Sequence, residues 1–99
     1  MTLAQRAYEA MVILNPNVGE DDLKAASQRI SDQITARGGQ VDKVETWGRR
    51  RMFYPIKHTL DGHYVVYSFH SEPQVLREME ANWRITDDIL RHLITFKED

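Results

Sequence analysis

The chain has 99 residues, 41% of them hydrophobic and 28% charged, with a formal net charge of -2. That length suits one domain around a single core, residues 1–99, with no room for a second. The lack of cysteine excludes a disulfide framework and a thiolate metal site, and the near-neutral balance excludes nucleic-acid binding by bulk positive field alone. The N-terminal MTLAQRAYEAMVIL lacks the charged and long apolar regions of a secretory signal, and no apolar run approaches the roughly 20 residues of a membrane span. Together these features predict a soluble cytoplasmic protein with no membrane partner.

Tyr8 to Leu14 is a short, partly β-branched apolar run stopped by Asn15-Pro16-Asn17, which predicts a central strand. Acidic Glu20, Asp21 and Asp22 then open a helix in which Leu23, Ala26, Ile30 and Ile34 recur at helical spacing, until Gly38-Gly39 stops it. Val41 to Ile56 and His63 to His70 read as the two strands of a long antiparallel hairpin, separated by a loop containing Asp61-Gly62. Ser71-Glu72-Pro73-Gln74 reads as a capping box, and Val75, Leu76, Met79 and Trp83 form the inner stripe of a second helix. Ile89 to Phe96 closes the order as a fourth strand.

The order βαββαβ, with one apolar stripe on each helix, predicts an α+β fold of the ferredoxin-like kind: a four-stranded antiparallel sheet with two helices on one face. Right-handed crossovers place the first and third strands in the centre and the second and fourth at the edges. Alternation puts Tyr8, Ala10, Val12 and Leu14 with Val65, Tyr67 and Phe69 under the helices. Glu9, Met11, Ile13, Tyr64, Val66 and Ser68 then face the other way, where Met11, Ile13, Tyr64 and Val66 make an apolar surface suited to a covering partner, or simply a mildly apolar open face.

Charge is segregated. From Lys43 to His58 five Lys or Arg stand against one Glu, while residues 1–42 and 59–99 carry an acidic excess. Arg49-Arg50-Arg51, interleaved with Trp47, Phe53, Tyr54 and Tyr64, suits phosphate contacts and base stacking, or protection of an edge strand and cross-strand packing. His58, His63, His70 and His92 show no paired metal-ligand spacing, Asp87 and Asp88 read as turn residues, and no phosphate loop or nucleophile elbow is present. Acylphosphatases use the same strand order, but their phosphate loop after the first strand carries an arginine, and Asn15-Pro16-Asn17-Val18-Gly19 has none. The chain therefore reads as no enzyme, with no cofactor and no small-molecule substrate.

Arg6-Ala7-Tyr8-Glu9, Ile13-Leu14-Asn15-Pro16, Gly48-Arg49-Arg50-Arg51-Met52-Phe53-Tyr54-Pro55-Ile56, Gly62-His63-Tyr64 and Ile89-Leu90-Arg91-His92-Leu93 occur in this order over nearly the full length. In these segments the chain resembles the bacterial small-subunit ribosomal protein six family, departing from it at Phe53, where a small residue is common, and at Arg49. The resemblance implies a structural protein of the small ribosomal subunit that binds the central domain of 16S ribosomal RNA together with small-subunit ribosomal protein eighteen. On this chain it implies RNA contacts from Arg6, Arg50, Arg51 and Lys57, and protein contacts from Met11, Ile13, Trp47, Arg49, Tyr64 and Val66. The alternative is a stand-alone interaction or ligand-sensing module that self-associates through the same sheet face.

Overall fold

The computed structural model describes residues 5–56 and 59–97, and the side chains of these outside residues 53–59. Six elements follow one another: β1 (Arg6–Leu14), α1 (Glu20–Ala36), β2 (Gln40–Ile56), β3 (Thr59–Ser71), α2 (Pro73–Arg84) and β4 (Ile89–Phe96). The strands form one antiparallel sheet in the order β2-β3-β1-β4, so β1 and β3 are central and β2 and β4 are edges, as the crossover rule predicts.

The predicted inner face is the core. Tyr8, Ala10, Val12 and Leu14 of β1 and Val65, Tyr67 and Phe69 of β3 are buried against Ala26, Ile30 and Ile34 of α1 and Met79 and Trp83 of α2. Leu23, Val75 and Leu76 pack at its margin. Burial of each large side chain contributes about 1.5–3 kcal/mol, so these residues dominate the stability of the sheet-helix sandwich. The Trp83 indole N–H donates to Gln33 Oε1 at 2.8 Å and ties the two helices together above the sheet. Gly38 and Gly39 close α1 by donating to the carbonyls of Thr35 and Ile34.

Two local expectations are corrected. The N-cap of α2 is Glu72, with Pro73 in the first turn, and no side-chain cap bond forms; Ser71 Oγ donates instead to the Glu72 carbonyl, because Ser71 is still the last residue of β3, paired with Arg6. Asp61-Gly62 is no loop. Both residues lie inside β3, opposite Arg51 and Arg50, and the pairing continues to Ile56 opposite Thr59. Asp-Gly is a strong turn signal, but here the glycine serves close packing: a Cβ at Gly62 would collide with Ile13 Cγ2. The hairpin is therefore longer than the sequence predicts, and its outer half extends past the end of β1 at Leu14, which pairs with His63. The molecule is correspondingly elongated, 46 × 24 × 22 Å.

Candidate interface on the open sheet face and the basic arm

The sheet face away from the helices is built in cross-strand rows. Glu45, Val66, Met11 and Leu93 form one row, and Gly48, Tyr64, Ile13 and Arg91 form the next. Met11, Ile13, Tyr64, Arg91 and Leu93 line a shallow cleft of about 300 Å³ between β3 and β4. Within this face Ile13 and Val66 are 8% and 4% exposed, already covered by the chain's own side chains, while Met11 and Tyr64 are half-buried. Leu93, at 53%, is the most open apolar group of the cleft. Met52 also turns to this side, where it is buried with its sulfur beside Gly62.

Two residues of this surface escaped the sequence reading, Arg91 and Leu93. Their signal lay in β4, where His92 pairs with Val12 and Ile94 with Ala10 on the inner face, which leaves Arg91 and Leu93 outside. The run Ile89 to Phe96 is apolar at both phases, so alternation alone does not declare its inner side.

The arm's charges separate by face. A β-bulge between Thr46 and Gly48 resets the alternation, and Gly48 supplies it with a φ of 83° that a side chain would disfavour. Trp47 is thereby displayed at the β2 edge, 44% exposed, with the Arg50 guanidinium 5.5 Å from its ring centroid. Arg50 pairs with Gly62 on the open side. Arg49 and Arg51 pair with His63 and Asp61 on the opposite side, and Arg49 Nε donates to Asp61 Oδ2 at 3.1 Å. Lys43 bonds Glu45 at 3.1 Å. The Lys43 ammonium, followed by the Trp47 indole N–H, holds the Glu45 carboxyl below its ordinary range. Among the described residues Arg50, Arg51 and Arg91 enter no salt bridge.

The structure thus groups the sequence-predicted residues differently from their sequence order. Met11, Ile13, Tyr64 and Val66 share one face, with Trp47 and Arg50 at its β2 edge; Arg49 and Arg51 lie behind it. Arg6 is elsewhere: it pairs with Ser71 at the far end of the sheet, over the Phe96 ring at 5.6 Å. From Ser71 to Gly62 along β3 is about 30 Å at the usual strand rise. Lys57, with the side chains of Phe53 and Tyr54, lies outside the described residues.

Among the described residues, no acid, base and anion-stabilising group come together on these surfaces. A second cleft, of about 560 Å³, opens between α1 and the inner face of β2 and β3, with Leu23, Lys24, Thr46 and His63 among its walls. His70 bonds Asp42 and His92 bonds Glu80, and no group of three His, Cys, Asp or Glu suited to a metal ion occurs among the described residues. No described helix is long and apolar enough to cross a membrane.

Residues 7–95 match the family model described as ribosomal protein S6. The small ribosomal subunit protein bS6 of Caldanaerobacter subterraneus subsp. tengcongensis is 40% identical over 94 residues, covering 95% of this chain and 99% of that one. The protein of the same name from Symbiobacterium thermophilum is 40% identical over 89 residues, 90% of this chain and 94% of that one. The crystal structure of 30S ribosomal protein S6 from Thermotoga maritima superposes with a TM-score of 0.89 at 36% identity, covering 95% of this chain and 89% of that one. On this full-length agreement in sequence and architecture, the chain belongs to the ribosomal protein S6 family.

Proposed function

We propose that this protein is a structural component of the small ribosomal subunit that binds the central domain of 16S ribosomal RNA cooperatively with small-subunit ribosomal protein eighteen. On this reading it works in the cytoplasm as a part of the small subunit and not as an enzyme; relatives named small ribosomal subunit protein bS6 support the place in the small subunit.

The observation that carries this reading is the charge state of the interface. Of the arm's described cations, Lys43 and Arg49 are neutralised by Glu45 and Asp61, which leaves Arg50 and Arg51. Proteins that grip nucleic acid tightly by charge make several phosphate contacts, and two arginines on a chain of net charge -2 fall short of that. A basic protein seated on the Met11, Tyr64 and Leu93 surface would supply the missing phosphate contacts and bury the exposed apolar groups, so that each ligand favours the other. Arg50 lies beside that protein surface and Arg51 behind it, which lets one arm touch protein and RNA together.

Solution mass tests the protein half of this. The expected result is a monomer alone and a one-to-one complex with protein eighteen. A stable homodimer that does not take up protein eighteen would contradict the reading and favour a self-associating module.

A further inference from the structure

We infer that Trp47 is a nucleobase-stacking platform: with Arg50 laid over one face of its ring, it offers the other face to an unpaired base of the bound RNA. The inference rests on the RNA-binding reading above and assigns it a contact of a different kind from phosphate neutralisation.

Three observations carry it. Trp47 is 44% exposed, whereas the other tryptophan, Trp83, is 1% exposed in the core. The bulge with its positive-φ Gly48 holds Trp47 at the free edge of β2, away from the buried Ile13 and Val66, where an apolar protein anchor would be desolvated. What the exposed ring offers a ligand is a flat π-face, which any base can stack on. Finally, Arg50 sits 5.5 Å from the ring centroid, so the ring is held in place before binding. Arg50 and Arg51 lie three and four residues further along the strand, on opposite faces of it, where the backbone of a stacked nucleotide needs cations.

The test is titration of a central-domain 16S ribosomal RNA fragment into the full-length protein with its protein partner, following tryptophan emission and RNA affinity for the unaltered chain, Trp47→Leu and Trp47→Phe. The expected results are quenching on RNA binding that Trp47→Leu abolishes, about tenfold weaker RNA binding for Trp47→Leu, and near-normal binding for Trp47→Phe, which keeps a stacking ring. Partner binding without RNA should be unchanged in both variants. RNA binding by Trp47→Leu at normal affinity, or weakened partner binding without RNA, would overturn the inference and place Trp47 in the protein interface. A failure of the unaltered protein to bind RNA would instead overturn the RNA reading itself, and the platform with it.

Discussion

Tyr67 joins the core to α1 by a single polar atom. Its hydroxyl donates to the Ser27 carbonyl at 2.9 Å and lies 3.0 Å from Ser27 Oγ, and burial pushes its pKa up to about 12. The folded state thus holds the proton more tightly than the unfolded chain, in which tyrosine titrates near 10. The resulting stability is complete below pH 10 and is lost as pH rises from about 10 to 12, by about 2–3 kcal/mol at 1.4 kcal/mol per unit. Urea unfolding at a series of pH values should show this alkaline loss in the unaltered protein and not in Tyr67→Phe, which costs about 1 kcal/mol at neutral pH through its missing hydrogen bond. Gly62 makes a residue-scale prediction of the opposite kind. Ile13 is stiff at χ1 and occupies the space of the missing side chain, so Gly62→Ala should cost about 1–3 kcal/mol in unfolding free energy. In a double-mutant cycle, Ile13→Ala, which removes Cγ2, should make Gly62→Ala cost less than it does beside Ile13 if the clash is its cause.

At the scale of elements, the basic arm and the open sheet face make separable contributions. Arg50 and Arg51 are exposed and outside any described salt bridge, so Arg50→Ala with Arg51→Ala should leave the thermal midpoint nearly unchanged. The same pair of substitutions should weaken assembly and flatten the slope of log affinity against log salt by about one for each phosphate left without its arginine. A large stability loss with intact assembly would contradict this role. Tyr64→Asp should disrupt binding of the protein partner while the far-ultraviolet spectrum is retained, since Tyr64 lies on the face opposite the core. The element order was legible in the sequence, because the apolar run of β1, the helical stripes of α1 and α2 and the alternation in β3 were regular and Asn15-Pro16-Asn17 and Gly38-Gly39 punctuated them. The hairpin's length was not, because Asp61-Gly62 carries a turn signal that cross-strand packing of Gly62 on Ile13 overrides. The cap of α2 was misplaced by one residue because Ser71 stays in the β3 ladder.

For the molecule as a whole, the strand order and the inner face followed from alternation in β1 and β3, whereas the candidate site was only partly legible. Which residues share a surface depends on register: the bulge at Trp47–Gly48 brings Trp47 and Arg50 together, and pairing across β1 adds Arg91 and Leu93. Neither can be read from one strand at a time. The sequence also made no distinction between Ile13 and Val66, which the chain covers itself, and Leu93, which stays open. Arg6 stands at the other end of the sheet, so any contact it makes is separate from that of the arm. Under the proposed function, this modestly charged domain binds RNA well only as one half of a protein pair. The most direct test is titration of a central-domain 16S ribosomal RNA fragment with this protein, alone and with small-subunit ribosomal protein eighteen, at two salt concentrations. Weak binding alone and tight, salt-sensitive binding with the partner are expected; equal affinity with and without the partner, or no binding in either case, would overturn the proposed function.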